Sequence, residues 1–183
     1  MILFFISIIL FFIILILFAF PQFSPIPYFP SNKKDLALIL KALDLKNDQL
    51  LFDLGAGNGL VIFAAADEAY GKNLNTQFIA TEINPILLLI LHLRRLWNRN
   101  RKNIKVIYSN MFKMNFNNVA MKQCNNLTIY LYISPWFLKK TVNNIKKQIK
   151  NFKVVSYMYP IGSLSEKEKV IKGVNKIYMY NLR

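Results

Sequence analysis

Asp53-Leu54-Gly55-Ala56-Gly57-Asn58-Gly59 sets one carboxylate and three alternating glycines between two apolar stretches, Leu50-Leu51-Phe52 and Leu60 to Ala66. That pattern reads as strand, tight loop, helix, a corner suited to holding a nucleotide or nucleoside. Glycine serves there because the turn needs positive φ and the backbone must approach a ligand closely. The helix that follows is expected to point its free N–H groups at whatever lies in the loop. A dinucleotide fingerprint requires glycine three residues after Gly57, and Leu60 stands there instead. Farther on, Gln77-Phe78-Ile79-Ala80-Thr81 ends at Glu82, 23 residues past Gly59. An acid about 20 residues beyond such a loop grips ribose hydroxyls in this kind of architecture. Loop and acid together predict a nucleoside-type cofactor; a glycine-rich turn beside a solvent-facing Glu is the plainer alternative.

A second set of candidates follows the fourth predicted strand, at Ser134-Pro135-Trp136-Phe137. Pro135 fixes the backbone, Ser134 can hydrogen-bond an amine, and Trp136 offers a π face to a cation or a base. An ordinary strand-to-helix turn with aromatics packed beneath it accounts for the same residues. Tyr28 is a candidate wall of the site, within a Pro-rich stretch that reads equally well as an inert spacer. The single His92 and single Cys124 leave little basis for a metal centre or a Ser-His-Asp arrangement, so no metal is expected. One cysteine excludes an internal disulfide and fits a reducing compartment.

These residues must be positioned by elements that the pattern of apolar positions outlines. Helices are expected over Asn32 to Leu45, Leu60 to Tyr70, Pro85 to Trp97 and Phe137 to Lys150, with Asn84-Pro85 starting the third. The third is nearly all Leu and Ile until Arg94-Arg95, and should lie buried against a sheet or graze a membrane. Strands are expected up to Asp53 and Glu82, then over Lys105 to Ser109, Leu127 to Ile133, Lys153 to Tyr159 and Lys176 to Asn181. Such alternation predicts an α/β, doubly wound, mostly parallel sheet with its ligand at the C-terminal strand ends. Ile2 to Phe20 carries no charge and is long enough to cross a bilayer, which predicts a transmembrane anchor over 1–20. Pro21, Pro25, Pro27 and Pro30 make 21–31 an extended linker, leaving 32–183 as the folded domain. Lys33 and Lys34 follow the apolar run and no charged side chain precedes it, which predicts a single-pass membrane protein with its domain on the cytoplasmic side. The net charge of +15 suits nucleic acid or an anionic lipid surface, and biased composition explains it as well.

The Asp53-x-Gly55-x-Gly57-x-Gly59 loop resembles motif I of the class I S-adenosylmethionine-dependent methyltransferases. Together with Pro27-Tyr28-Phe29-Pro30, Glu82-Ile83-Asn84-Pro85, Asn110-Met111-Phe112 and Ser134-Pro135, it is similar to a small family of membrane-anchored protein-lysine N-methyltransferases, those acting on the ATP synthase c subunit and the adenine nucleotide translocase. The resemblance covers roughly 21–183 and implies a Rossmann-like methyltransferase sheet shortened at its C-terminal end. It implies S-adenosyl-L-methionine as cofactor, held by Asp53, Gly55, Ala56, Gly57, Asn58, Gly59, Glu82, Ile83, Asn84, Asn110 and Met111. Asn110 stands where relatives carry an acid for the adenine amino group, and Phe112 where they carry Trp. The implied reaction is in-line methyl transfer to a lysine ε-amine of a membrane or membrane-proximal protein, near Tyr28, Ser134, Pro135 and Trp136. Proximity and orientation supply most of the catalysis in such a reaction. The alternatives are a nucleic-acid base N-methyltransferase, less favoured, and a non-catalytic membrane-bound module with a degenerate fold.

Overall fold

Segments of five to seven residues, most of them rich in apolar side chains, become seven strands in the computed structural model, which describes residues 1–19, 29–116 and 126–182. They are β1 (Gln49–Leu54), β2 (Gln77–Glu82), β3 (Ile104–Tyr108), β4 (Asn126–Leu131), β5 (Phe152–Tyr157), β6 (Glu168–Lys172) and β7 (Lys176–Leu182). All seven form one sheet in the order β3-β2-β1-β4-β5-β7-β6. The first five run parallel, whereas β7 lies antiparallel to both β5 and β6. β1 is central and buried at every position, as a strand covered on both faces must be.

Successive side chains of a strand point to opposite faces, so the sheet supports two cores. On one side Leu51, Phe78 and Val155 meet Ile39 and Leu43 of α2 (Leu36–Leu43), Ile62 of α3 (Leu60–Gly71) and Leu91 of α4 (Pro85–Trp97). On the other, Phe52, Ile129 and Val154 meet Leu138, Val142 and Ile145 of α5 (Pro135–Lys146). The doubly wound α/β expectation is met, with the glycine loop between β1 and α3 at the C-terminal edge of the parallel strands.

Three expectations need correction. The helix expected from Asn32 divides into a 3-10 turn, Lys33–Asp35, and α2, because Asp35 turns its carboxylate inward rather than continuing the helix surface. At the C-terminal end, β6 was not expected: only Val170 and Ile171 are apolar in Glu168–Lys172, and its place at the sheet edge is set by pairing with β7. A 3-10 segment, Gly162–Lys167, rather than an α-helix leads into it, so the end is shortened in its crossover and not in its strands. The third concerns the N-terminus, where Ile2–Ala19 forms an apolar helix, α1. Among the described residues no helix is long and apolar enough to cross a membrane, so the transmembrane anchor expected over 1–20 is not borne out. Most of the linker expected over 21–31, Tyr28 with it, and Cys124 lie outside the described residues.

Candidate active site

Asp53, last but one in β1, lies between two neighbours, in register with Ala80 on β2 and with Tyr130 on β4. The chain then turns through Gly55 (φ +79°), Gly57 (+57°) and Gly59 (+78°). A Cβ on Gly55 would lie 2.8 Å from Met111 Cε, and one on Gly59 2.5 to 2.7 Å from Phe63 and Leu91. Gly59 therefore demands glycine for conformation and for space, and Gly55 for conformation, since the end of the Met111 side chain can move aside.

The loop amides are used inside the protein. Gly55 and Ala56 donate to the Thr81 carbonyl at 3.0 and 2.8 Å, and Gly59 donates to the Ala56 carbonyl at 2.8 Å. Gly57 donates to Glu82 Oε2 at 2.8 Å, and Leu60 to Asn58 Oδ1 at 3.1 Å. Of the amides at the start of the following helix, expected to point at a ligand, Leu60 is thus taken by Asn58. Hydrogen-bonding capacity in the cleft lies instead with acceptors, Asp53 foremost. Burial, and then the charge of Glu82, push the Asp53 carboxyl up to about 8. A carboxyl so placed is stabilised by a cation and repels an anion.

Glu82 sits against the loop. Besides Gly57, it accepts the amides of Ile83 (2.8 Å) and Asn84 (3.0 Å) through Oε1, which leaves Oε2 capacity for a further donor. Asn84 is the N-cap of α4, its Oδ1 accepting from Ile86 and Leu87 at 2.9 and 3.2 Å. Met111 lies on Gly55, and Asn110 Oδ1 accepts the Phe112 amide at 2.9 Å, closing the turn that carries Met111 there. The turn is braced on α5 by Phe112 against Phe137, 5.2 Å between ring centroids.

Several residues that shape the cleft were not expected. Pro30 and Ser31 line it from the N-terminal side, Tyr130 from β4 and Tyr132 from just beyond it. The Tyr130 and Ser31 hydroxyls meet at 2.8 Å. Arg94, on α4, donates to the Asn58 carbonyl at 2.5 Å and lies 5.0 Å over the Phe63 ring. The two tyrosines had a signal in their alternation along the strand expected over Leu127 to Ile133, which puts them on one face; Arg94, 36 positions from Asn58, had none. Ser134, Pro135 and Trp136 follow Tyr132 beyond the cleft wall. Pro135 opens α5, Ser134 makes no side-chain cap, and Trp136 is 84% exposed.

No protein-family model matches the chain. Over 160 residues, 85% of this chain and 92% of the relative, it is 26% identical to a protein-lysine N-methyltransferase of Saccharolobus islandicus strain REY15A. An RNA methyltransferase of Salinibacter ruber, solved with S-adenosyl-L-homocysteine, superposes with a TM-score of 0.68 at 18% identity, over 84% of this chain and 94% of that one. TrmK of M. capricolum, also solved with S-adenosyl-homocysteine, gives 0.56 at 16% identity, over 83% and 68%. The fold is that of the class I methyltransferases. Within this methyltransferase fold the glycine loop, Glu82 and Met111 converge on one corner of the sheet.

Proposed function

We propose that the protein is an S-adenosylmethionine-dependent N-methyltransferase that methylates a lysine ε-amine of a membrane or membrane-proximal protein. The observation that carries the cofactor is the sign of the cleft: the loop amides are used internally and a buried carboxyl, Asp53, has its pKa raised to about 8. A phosphate-bearing dinucleotide needs the opposite arrangement, free amides and no buried acid. S-Adenosyl-L-methionine is a cation, and its sulfonium supplies an electrophilic methyl group. Asp53 would hold its positive end, Glu82 beside Gly57 its ribose hydroxyls, and Met111 on Gly55 would give its base an apolar floor. Asn110 offers an uncharged polar contact near that base.

Lysine as acceptor draws support from the archaeal relative, whose name carries that activity. A lysine amine reacts when unprotonated, and the aromatic cleft wall of Tyr130 and Tyr132, with Trp136 and Tyr28 as candidates at its rim, favours the neutral amine by desolvation. Ser134 is the nearby hydroxyl that could take its hydrogen bond. Membrane proximity draws support from two apolar surfaces. The described side chains of α1 are exposed, as are Leu89, Leu93, Leu96 and Trp97 of α4, and the two helices approach each other. Exposed Lys33 and Lys34 suit the anionic cytoplasmic leaflet of such a membrane. A second reading, N-methylation of a nucleic-acid base, is favoured by the +15 charge and by the name of the Salinibacter ruber neighbour.

Titration calorimetry with S-adenosylmethionine, followed by incubation with the methyl-labelled cofactor and either cell membranes or total RNA, tests both parts. Binding heat and label in membrane protein are expected. Label confined to RNA would establish the second reading, and no heat at all would mean a non-catalytic module.

A further inference from the structure

Phe29 to Asn32 cross the open side of the glycine loop without regular structure, Pro30 and Ser31 lining the cleft with Asp53 and Gly57. Phe29 and Pro30 are exposed, so packing holds this strap weakly. Hydrogen bonds hold it instead. The Ser31 hydroxyl meets Tyr130 at 2.8 Å, and the Asn32 amide donates to the Tyr157 hydroxyl at 3.4 Å. Tyr157 in turn donates to Asp35 Oδ2 at 2.7 Å and accepts from Asn175 Nδ2 at 2.8 Å. The Asp35 carboxylate, 1% exposed, also accepts the Val174 amide at 2.7 Å and the Asn175 amide at 2.8 Å. Both belong to the turn between β6 and β7. That turn comes so close that a Cβ on Gly173 would stand 2.3 Å from Asp35 Oδ1.

Resting on the cofactor reading above, we propose that Asp35 is a positioning residue: acting through Tyr157, it ties the strap to the β6–β7 turn and so fixes the outer wall of the cofactor cleft. The Tyr157 hydroxyl gives its one proton to Asp35 and accepts from both Asn32 and Asn175, which uses its full capacity. Its ring packs edge-on against Tyr132, 4.9 Å between centroids, and Tyr132 is itself a cleft wall. The C-terminal hairpin is thereby connected to the cleft by two routes, one polar and one aromatic. A carboxylate whose only task was to cap the hairpin turn would have no need of the link to Asn32. Burial pushes the Asp35 carboxyl up, yet the bonds from Tyr157, Asn175 and Val174 together hold it below its ordinary value. The clasp is therefore charged at neutral pH, where charge-assisted hydrogen bonds are strong.

The test uses the full chain with two readouts: S-adenosylhomocysteine affinity by calorimetry, and amide hydrogen exchange of residues 29–35 without ligand. Tyr157→Phe deletes the hydroxyl and leaves Asp35 its amide bonds to the turn. It should speed exchange in the strap and raise Kd about tenfold, the scale of one hydrogen bond to a charged network. Asp35→Asn should act in the same direction and more strongly; if it does not fold, Tyr157→Phe carries the test. Ile171→Ala loosens the same hairpin away from the clasp and should lower the unfolding temperature with strap exchange unchanged. Wild-type strap exchange and affinity in Tyr157→Phe would overturn the proposal, as would equal strap exchange in Tyr157→Phe and Ile171→Ala. A wild-type protein that binds no S-adenosylhomocysteine would break the cofactor reading instead, and strap exchange in the ligand-free protein would still read the role of Asp35.

Discussion

The glycine loop after β1 and the rim after β4 occupy the same edge of the sheet, yet only one of them is finished. In the loop, the amides of Gly55, Ala56, Gly57, Gly59 and Leu60 have partners within the protein, and added side chains would collide at Gly55 and Gly59. At the rim, Ser134 makes no cap with its side chain and Trp136 is left in solvent. A site for an invariant small molecule can be built rigid in advance, which keeps the ordering cost of binding low. On the acceptor reading proposed above, the rim would leave its aromatic surface to be covered by a macromolecular substrate, as exposed aromatics at interaction surfaces commonly are.

Breaking the finished half should have the largest effect. Gly59→Ala combines a left-handed backbone with a Cβ 2.5 Å from Phe63, and should cost about 3 kcal/mol in denaturant unfolding. A wild-type midpoint would show that α3 and α4 can shift to accept the methyl group.

Asp53→Asn should weaken S-adenosylmethionine binding by about 2 kcal/mol, roughly thirtyfold in Kd, while stabilising the free protein near neutral pH. The sign follows from a folded pKa of about 8 against an ordinary 3.8. Between those values the folded protein holds a proton that the unfolded chain has released, so stability falls as pH rises through the window. The variant should lose that slope. A cationic ligand favours the ionised carboxylate, so wild-type affinity should rise with pH up to about 8 and variant affinity should stay flat. Parallel pH profiles in the two proteins would refute the assignment of Asp53 to the cation.

The smallest effect belongs to the unfinished half. Trp136→Ala should lower kcat/KM for the protein acceptor about tenfold with cofactor Kd unchanged, and shift unfolding by less than about 0.5 kcal/mol. A drop in cofactor affinity would mean that rim and loop are one site rather than two.

The same contrast governs what could be read before any fold was known. The loop was legible because glycine spacing, the preceding apolar run and the acid ending β2 are local signals with steric causes. Glu82 and Met111 do meet the loop. Tyr130 and Tyr132 were visible only as strand residues, and their role depends on β4 lying beside β1. Asp35 lies within the helix expected over Asn32 to Leu45, and its role depends on the β6–β7 turn some 140 positions away.

By itself the sequence determined the alternation of strands and helices, the place of the loop and the burial pattern of the sheet, since each depends on residues within a few turns of one another. Tertiary structure alone decided that the loop amides turn inward, that Asp53 is held as an acid wanting a cation, and that β6 joins the sheet edge. Those outcomes hinge on which distant groups come within hydrogen-bond reach, and on how water is excluded from between them. No local pattern of residues encodes either.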